Sequence, residues 1–131
     1  MAPAPIIEAR ELTKRYGRRR GIEGVSFSVR AGETFGFLGP NGAGKTTTIR
    51  LMLGLLWPTS GSISAFGLPP GPEAMARVGY VPGDLGFYEQ MTGAALLEHL
   101  AGLQRGPPRL RGDLCARFEL SQADLAAPVR A

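Results

Sequence analysis

Apolar and polar residues alternate from Ile6 to Leu12, with Ile7 and Ala9 on one face and Leu12 joining them, which predicts a strand. A basic, glycine-containing turn follows, and then Val25, Phe27 and Val29 alternate with Ser26 and Ser28, a half-buried strand. Ala31-Gly32 makes a turn, and the short apolar run Thr34 to Leu38, ending at Gly39-Pro40, predicts a buried strand. From about Lys45 the period becomes helical. Ile49, Met52, Leu53 and Leu56 fall at i, i+3, i+4 and i+7, while Leu51 and Leu55 make the segment apolar nearly all round, until Trp57-Pro58-Thr59-Ser60-Gly61 stops it. A strand over Ser62 to Phe66, with Ile63 and Ala65 facing one way, is followed by a loop over Gly67 to Pro72, a helical turn or two at Glu73 to Arg77, and a buried strand at Val78 to Val81 closed by Pro82-Gly83.

Beyond that point the pattern is wholly helical. Thr92 to Leu103 carries the stripe Leu96, Leu97, Leu100 and Leu103, Gly106-Pro107-Pro108 breaks it, and Leu110 to Leu120 forms a second helix with Leu114 and Phe118 on one face. Ser121 with Asp124 three residues on forms a capping box for a third. The expected organisation is mixed α/β over 1–83 and wholly helical over 84–131.

Composition narrows the possibilities. The 131 residues, 44% hydrophobic and 20% charged, suit one globular domain. No apolar run approaches the roughly 20 residues of a membrane span. Met1-Ala2-Pro3-Ala4-Pro5 has neither a basic nor an apolar region, so no signal peptide is expected. The single cysteine, Cys115, suits a reducing compartment and, in an apolar helical pattern, is expected to be buried. The net charge of +4 comes from 13 Arg and 2 Lys, clustered at Lys14, Arg15, Arg18, Arg19 and Arg20. A nucleic-acid footprint is one reading of that cluster; without interleaved aromatics a solvated turn between strands is favoured, and no nucleic-acid partner is expected.

The chemistry lies in Gly39-Pro40-Asn41-Gly42-Ala43-Gly44-Lys45-Thr46, which satisfies G-x-x-x-x-G-K-[ST] in full, after an expected strand and at the start of an expected helix. Glycines allow positive φ and bring successive N–H groups into a concave nest for phosphate oxygens. The following helix offers its free N–H groups and positive dipole end to the same anion. Lys45 is the fixed cation for the β and γ phosphates, and the Thr46 hydroxyl is a Mg²⁺ ligand. In a chain with two lysines a chance match has a frequency well under about 1%.

Gly39 through Thr47 resembles the Walker A sequence of ABC-family ATP-binding subunits, and its surroundings agree in order and spacing: Leu12-Thr-Lys-Arg-Tyr16-Gly17, Gly24-Val-Ser-Phe-Ser-Val29 and Ala31-Gly-Glu33 before it, Gly54-Leu-Leu56, Pro58-Thr-Ser-Gly61 and Val78-Gly-Tyr-Val-Pro82 after it. The resemblance covers essentially the whole chain, and Pro82 to Thr92 is most similar to bacterial exporters of drugs or lipids. It implies a partial P-loop NTPase fold with N-terminal antiparallel strands, and ATP with Mg²⁺ as ligands. By the same resemblance Tyr16 stacks on adenine and Gly42 through Thr47 contact the phosphates. The implied partners are a transmembrane permease subunit and a second ATP-binding subunit, at the inner face of the cell membrane. One departure stands out. The family's Mg²⁺-ligating Gln position is Gly83 here, and Asp84, one residue out of register, is left outside the metal site.

The family's signature, Walker B strand and switch His are not found. Leu120-Ser121-Gln122 begins like a signature but lacks both glycines, and Ala94-Ala-Leu-Leu-Glu98-His99 places a carboxylate and a His after apolar residues whose spacing is helical. No catalytic residue is therefore assigned, and the chain alone is expected to lack turnover. A fragment, a truncated product and half of a split subunit stay open. So do two other functions, a nucleotide-binding chain without ATPase activity and a soluble ATPase acting on ribosomes or DNA.

Overall fold

The computed structural model describes residues 4–83, 86, 88–103 and 109–129. The chain divides into two compact units, Met1–Tyr80 and Val81–Ala131.

In the first unit β1 (Ile7–Tyr16) and β2 (Arg19–Val29) form an antiparallel hairpin whose two-residue turn, Gly17-Arg18, has Gly17 at φ 58°. The strands extend further into the basic segment than alternation suggested, so the cations flank a tight turn. Arg18 and Arg19 are exposed, and Arg15 pairs with Glu23 at 2.7 Å. Helix α1 (Lys45–Met52) follows, then β3 (Ser60–Ala65), antiparallel to β1 on its other side, and a short α2 (Pro72–Met75). The sheet order is β2-β1-β3.

A bulge explains how Leu12 joins the face of Ile7 and Ala9, an odd spacing that a regular strand forbids. Pairing shifts register between Ala9 and Leu12, where Glu11 takes φ 47°. The Glu11 N–H donates to Ser26 Oγ (2.9 Å), and the Ser26 hydroxyl donates to Glu11 Oε1 (2.9 Å). Gly61, at φ 76°, faces the bulge; a Cβ there would lie 2.1 Å from the Glu11 carbonyl oxygen. With the phase shifted, Ala9, Leu12, Ile22, Leu51 and Ile63 form the core, and Val25, Phe27, Met52 and Leu56 pack against it. Leu12 and Leu51 are 0% exposed, and burying each contributes about 1.5–3 kcal/mol. Ile63 and Ala65 are buried together, as alternation predicted.

Three expectations are corrected. Thr34 to Leu38 forms no strand, and Leu38 is 95% exposed: a buried strand needs a neighbouring backbone, and none among the described residues pairs with it. For the same reason Val78 to Val81 is not a strand, and Val81 is 79% exposed. Helix α1 ends at Met52, well before Trp57. Gly54, at φ 68°, closes a Schellman motif in which its N–H donates to the Leu51 carbonyl (3.1 Å) and the Leu55 N–H donates to the Arg50 carbonyl (2.9 Å).

The second unit holds α3 (Gly93–Gly102), α4 (Arg111–Arg117) and α5 (Gln122–Ala126). The Thr92 side chain caps α3 by accepting from the Ala95 N–H (3.2 Å), and Leu96 is buried. The Gly93 N–H donates to the Ala127 carbonyl (3.1 Å) and the Val129 N–H to that of Met91 (2.8 Å), tying the end of α5 to the start of α3. The expected capping box is present in full. Cys115 is half-buried, not sealed in a core as expected, because it lines an open apolar cleft with Leu97, Leu100, Leu114 and Phe118. The Gly106-Pro107-Pro108 break and Asp84 lie outside the described residues. Among those described, no helix is long and apolar enough to cross a membrane.

Candidate phosphate-binding site

The loop from Gly39 to Gly44 delivers the chain into α1 through a left-handed N-cap, Gly44, at φ 94°. Two demands meet at this residue. Positive φ costs an L-residue roughly 1–2 kcal/mol, and a Cβ here would lie 2.1 Å from Ile22 Cγ2. The close approach seats the loop against β2. Gly42, at φ 87°, bends the loop with open space around it.

The helix end is left open. Gly44 offers no side-chain cap, and the first turn of α1 holds no acidic residue. Thr48 N–H and Oγ1 both donate to the Gly44 carbonyl (2.9 and 3.0 Å), so the N–H groups of Lys45, Thr46 and Thr47 precede the helical ladder. With the dipole end they form a positive concavity. Lys45 Nζ donates to the carbonyls of Gly39 (2.6 Å) and Pro40 (2.8 Å), and the Ala43 N–H donates to the Pro40 carbonyl (3.2 Å), closing the turn. The loop itself thus holds the ammonium in place, and an anionic phosphate oxygen is a stronger acceptor than either carbonyl.

These groups surround a cavity of about 190 Å³ lined by Asn41, Gly42, Gly44, Lys45, Thr46 and Thr47, together with Gly21 of β2. The cleft of the second unit is larger, about 540 Å³, but chemistry decides between the two: its walls are mostly apolar, with Arg109 and Arg111 beside them, while the smaller cavity joins threonine hydroxyls and Lys45 to an uncapped helix start. Thr46 is exposed on it. Among the described residues no group of three or more His, Cys, Asp or Glu is placed to hold a metal. Mg²⁺ keeps several waters and binds through phosphate oxygens and few protein ligands, and the exposed Thr46 hydroxyl is an oxygen that could serve as one. Gly83 has no side chain to add.

Of the residues singled out in the sequence, Asn41, Gly42, Gly44, Lys45, Thr46 and Thr47 line the cavity, Gly39 and Pro40 take part through their carbonyls, and Ala43 closes the turn. Tyr16, at the end of β1, is 45% exposed and reaches the site's edge through Gly21, whose Cβ position would lie 2.9 Å from Tyr16 Cε2. Gly21 therefore borders both the ring and the phosphate cavity. Sequence reasoning passed over it, although a glycine at the start of an alternating strand is a signal of close approach.

The fold is shared with solved ATP-binding parts of ABC transporters. A solved ATP-binding subunit of an ABC transporter superposes with a TM-score of 0.81 at 31% identity, covering 94% of this chain and 54% of that one. An ATP-bound bacterial Atm1-family ABC exporter superposes with a TM-score of 0.72 at 26% identity, covering 95% of this chain and 24% of that one. In sequence, the bacitracin transport ATP-binding protein BcrA of Bacillus licheniformis is 44% identical over 90 residues, 66% of this chain and 29% of its own length. The Nod factor export ATP-binding protein I of Burkholderia orbicola is 51% identical over 85 residues, 63% of this chain and 28% of its own. The matched parts thus span less than a third of these relatives. Residues 22–123 match the family model of the ABC transporter, and the chain belongs to that family.

Proposed function

We propose that this chain binds ATP with Mg²⁺ in the Gly39–Thr47 loop, as part of an ABC ATPase subunit that energises export across a membrane. The observation that carries the proposal is the open N-terminus of α1, where a positive-φ glycine loop, uncapped N–H groups and Lys45 converge on one polar cavity. In this account the N–H groups of Gly42 through Thr47 cradle the phosphates, Lys45 pairs with their β and γ oxygens, Thr46 gives Mg²⁺ one oxygen, and Tyr16 stacks on the base. Export as the direction rests on the similarity to the Nod factor export protein and to the Atm1-family exporter. A permease subunit, a second ATP-binding subunit and a place at the inner membrane face belong to the same proposal. Residues 84–131 are proposed as the start of the helical subdomain. Hydrolysis needs a carboxylate that activates water, and no residue of this sequence is given that part, so the role proposed for the chain itself is binding.

Titration of a fluorescent ATP analogue against the wild type and Lys45→Ala tests this. Charge-assisted contacts are worth about 1.5–3 kcal/mol each, so loss of the two or more that Lys45 makes to phosphate weakens binding about 100-fold or more. Equal affinities would overturn the assignment.

A further inference from the structure

Lys14 is the other of the chain's two lysines, and its surroundings differ from those of the arginines beside it. It is half-buried, while Arg15, Arg18 and Arg19 are exposed. Its Nζ donates to the carbonyl of Trp57 at 2.6 Å, a contact between β1 and the segment that follows α1. The same nitrogen stands over the Tyr16 ring, 5.6 Å from the centroid. The ring is thus held from two directions, by an ammonium over it and by Gly21 against its Cδ2–Cε2 edge. A lysine ammonium is usually free to wander on a flexible stem. This one is fixed by a backbone acceptor outside its own hairpin.

We infer that Lys14 is a positioning residue for the base platform: it fixes the Tyr16 ring and draws electron density from its π face, strengthening stacking of an electron-rich purine while leaving phosphate recognition untouched. The inference rests on the ATP-binding proposal and adds to it a residue that touches neither phosphate nor metal. A cation over an aromatic face at a partly exposed site is worth a fewfold change in affinity, about two- to fivefold. Arg retains this interaction, since its guanidinium also favours aromatic faces. Met keeps the apolar stem and removes the charge.

The test compares ATP with inorganic tripolyphosphate, which carries the phosphates without a base, on the full chain. Lys14→Met is expected to weaken ATP about two- to fivefold with tripolyphosphate unchanged, Lys14→Arg to restore ATP affinity, and Lys14→Met in a Tyr16→Leu background to add nothing. A merely structural Lys14 would weaken both ligands equally, and that result, or wild-type ATP affinity in Lys14→Met, would overturn the inference. The Lys45→Ala control separates the two levels. If it binds ATP as the wild type does, the phosphate-loop reading falls and this inference with it; if it loses ATP while Lys14→Met keeps it, the inference falls alone.

Discussion

Among the described residues, the N-terminus of α1 and those of the other four helices are treated differently. Helix α3 begins with the Thr92 cap and α5 with the full Ser121–Asp124 box, while α2 and α4 lack side-chain caps but carry an acidic residue, Glu73 or Asp113, in the first turn. Among the described residues α1 is the one helix with neither device. Every helix start exposes N–H groups and a positive dipole end that want an oxygen or a negative charge. Four helices receive it from their own sequence. The fifth leaves the demand unmet where Lys45 adds more positive charge, and a start of that kind is stabilised when an external anion supplies the oxygens. Four helix starts are satisfied from within, and that of α1 is left for an external group.

The largest break in this comparison is expected from Gly44→Ala. The side chain meets both an unfavourable φ and the Ile22 methyl, so the loop must leave β2. Destabilisation of about 3 kcal/mol is expected from left-handed strain plus overpacking, with loss of ATP binding. Urea unfolding and the ATP titration measure both. A variant with unchanged midpoint and affinity would mean the close approach to β2 is dispensable.

A smaller effect tests the capped side. Ser121→Ala removes the acceptor for the Asp124 N–H (3.1 Å) and the hydroxyl that donates to Asp124 Oδ2 (2.6 Å). Loss of such a cap costs about 1 kcal/mol, so hydrogen exchange at the Leu125 amide, which donates to the Ser121 carbonyl, is expected to quicken about fivefold. ATP affinity should not move.

The smallest effect is the pH response of the same cap. The Ser121 hydroxyl, and after it the Ser121 backbone N–H, hold the Asp124 carboxyl below its ordinary 3.8. A folded-state pKa lowered in this way gives stability that is fully present above the unfolded value and lost as pH falls through the folded one. The capping interaction is therefore expected to persist down to pH 3.8 and to weaken only below it. The Ser121 amide shift followed by NMR should titrate with a midpoint under 3.8, and Asp124→Asn should abolish that titration. A midpoint at or above 3.8 would contradict the two hydrogen bonds.

What could be read from sequence divides along physical lines. The glycine turn into α1, the start of α1, the Thr92 and Ser121 helix starts, and the facing of Ile63 and Ala65 all depend on residues a few positions apart, and each was legible. The strands expected at Thr34 to Leu38 and Val78 to Val81 were not legible in the same way, because an apolar run states a wish for burial and does not name the backbone that would pair with it. Glu11's bulge was hidden for a related reason: Ser26 and Gly61, which make room for it, come from the neighbouring strands. Gly54 carried the true end of α1 in plain view and was outvoted by the apolar residues after it. Gly21 borders the loop cavity and the Tyr16 ring, and Lys14 reaches the Trp57 carbonyl, contacts that only the folded chain brings together.

The most direct measurement of the contrast between open and capped helix starts is a backbone amide NMR titration of the chain with ATP and Mg²⁺. The account predicts shifts concentrated at Gly42, Gly44, Lys45, Thr46 and Thr47, with the α3 and α5 starts, Gly93 to Leu96 and Gln122 to Leu125, unmoved. Shifts at the capped starts of the same size as at the loop, or no shift at the loop under saturating ATP, would contradict it.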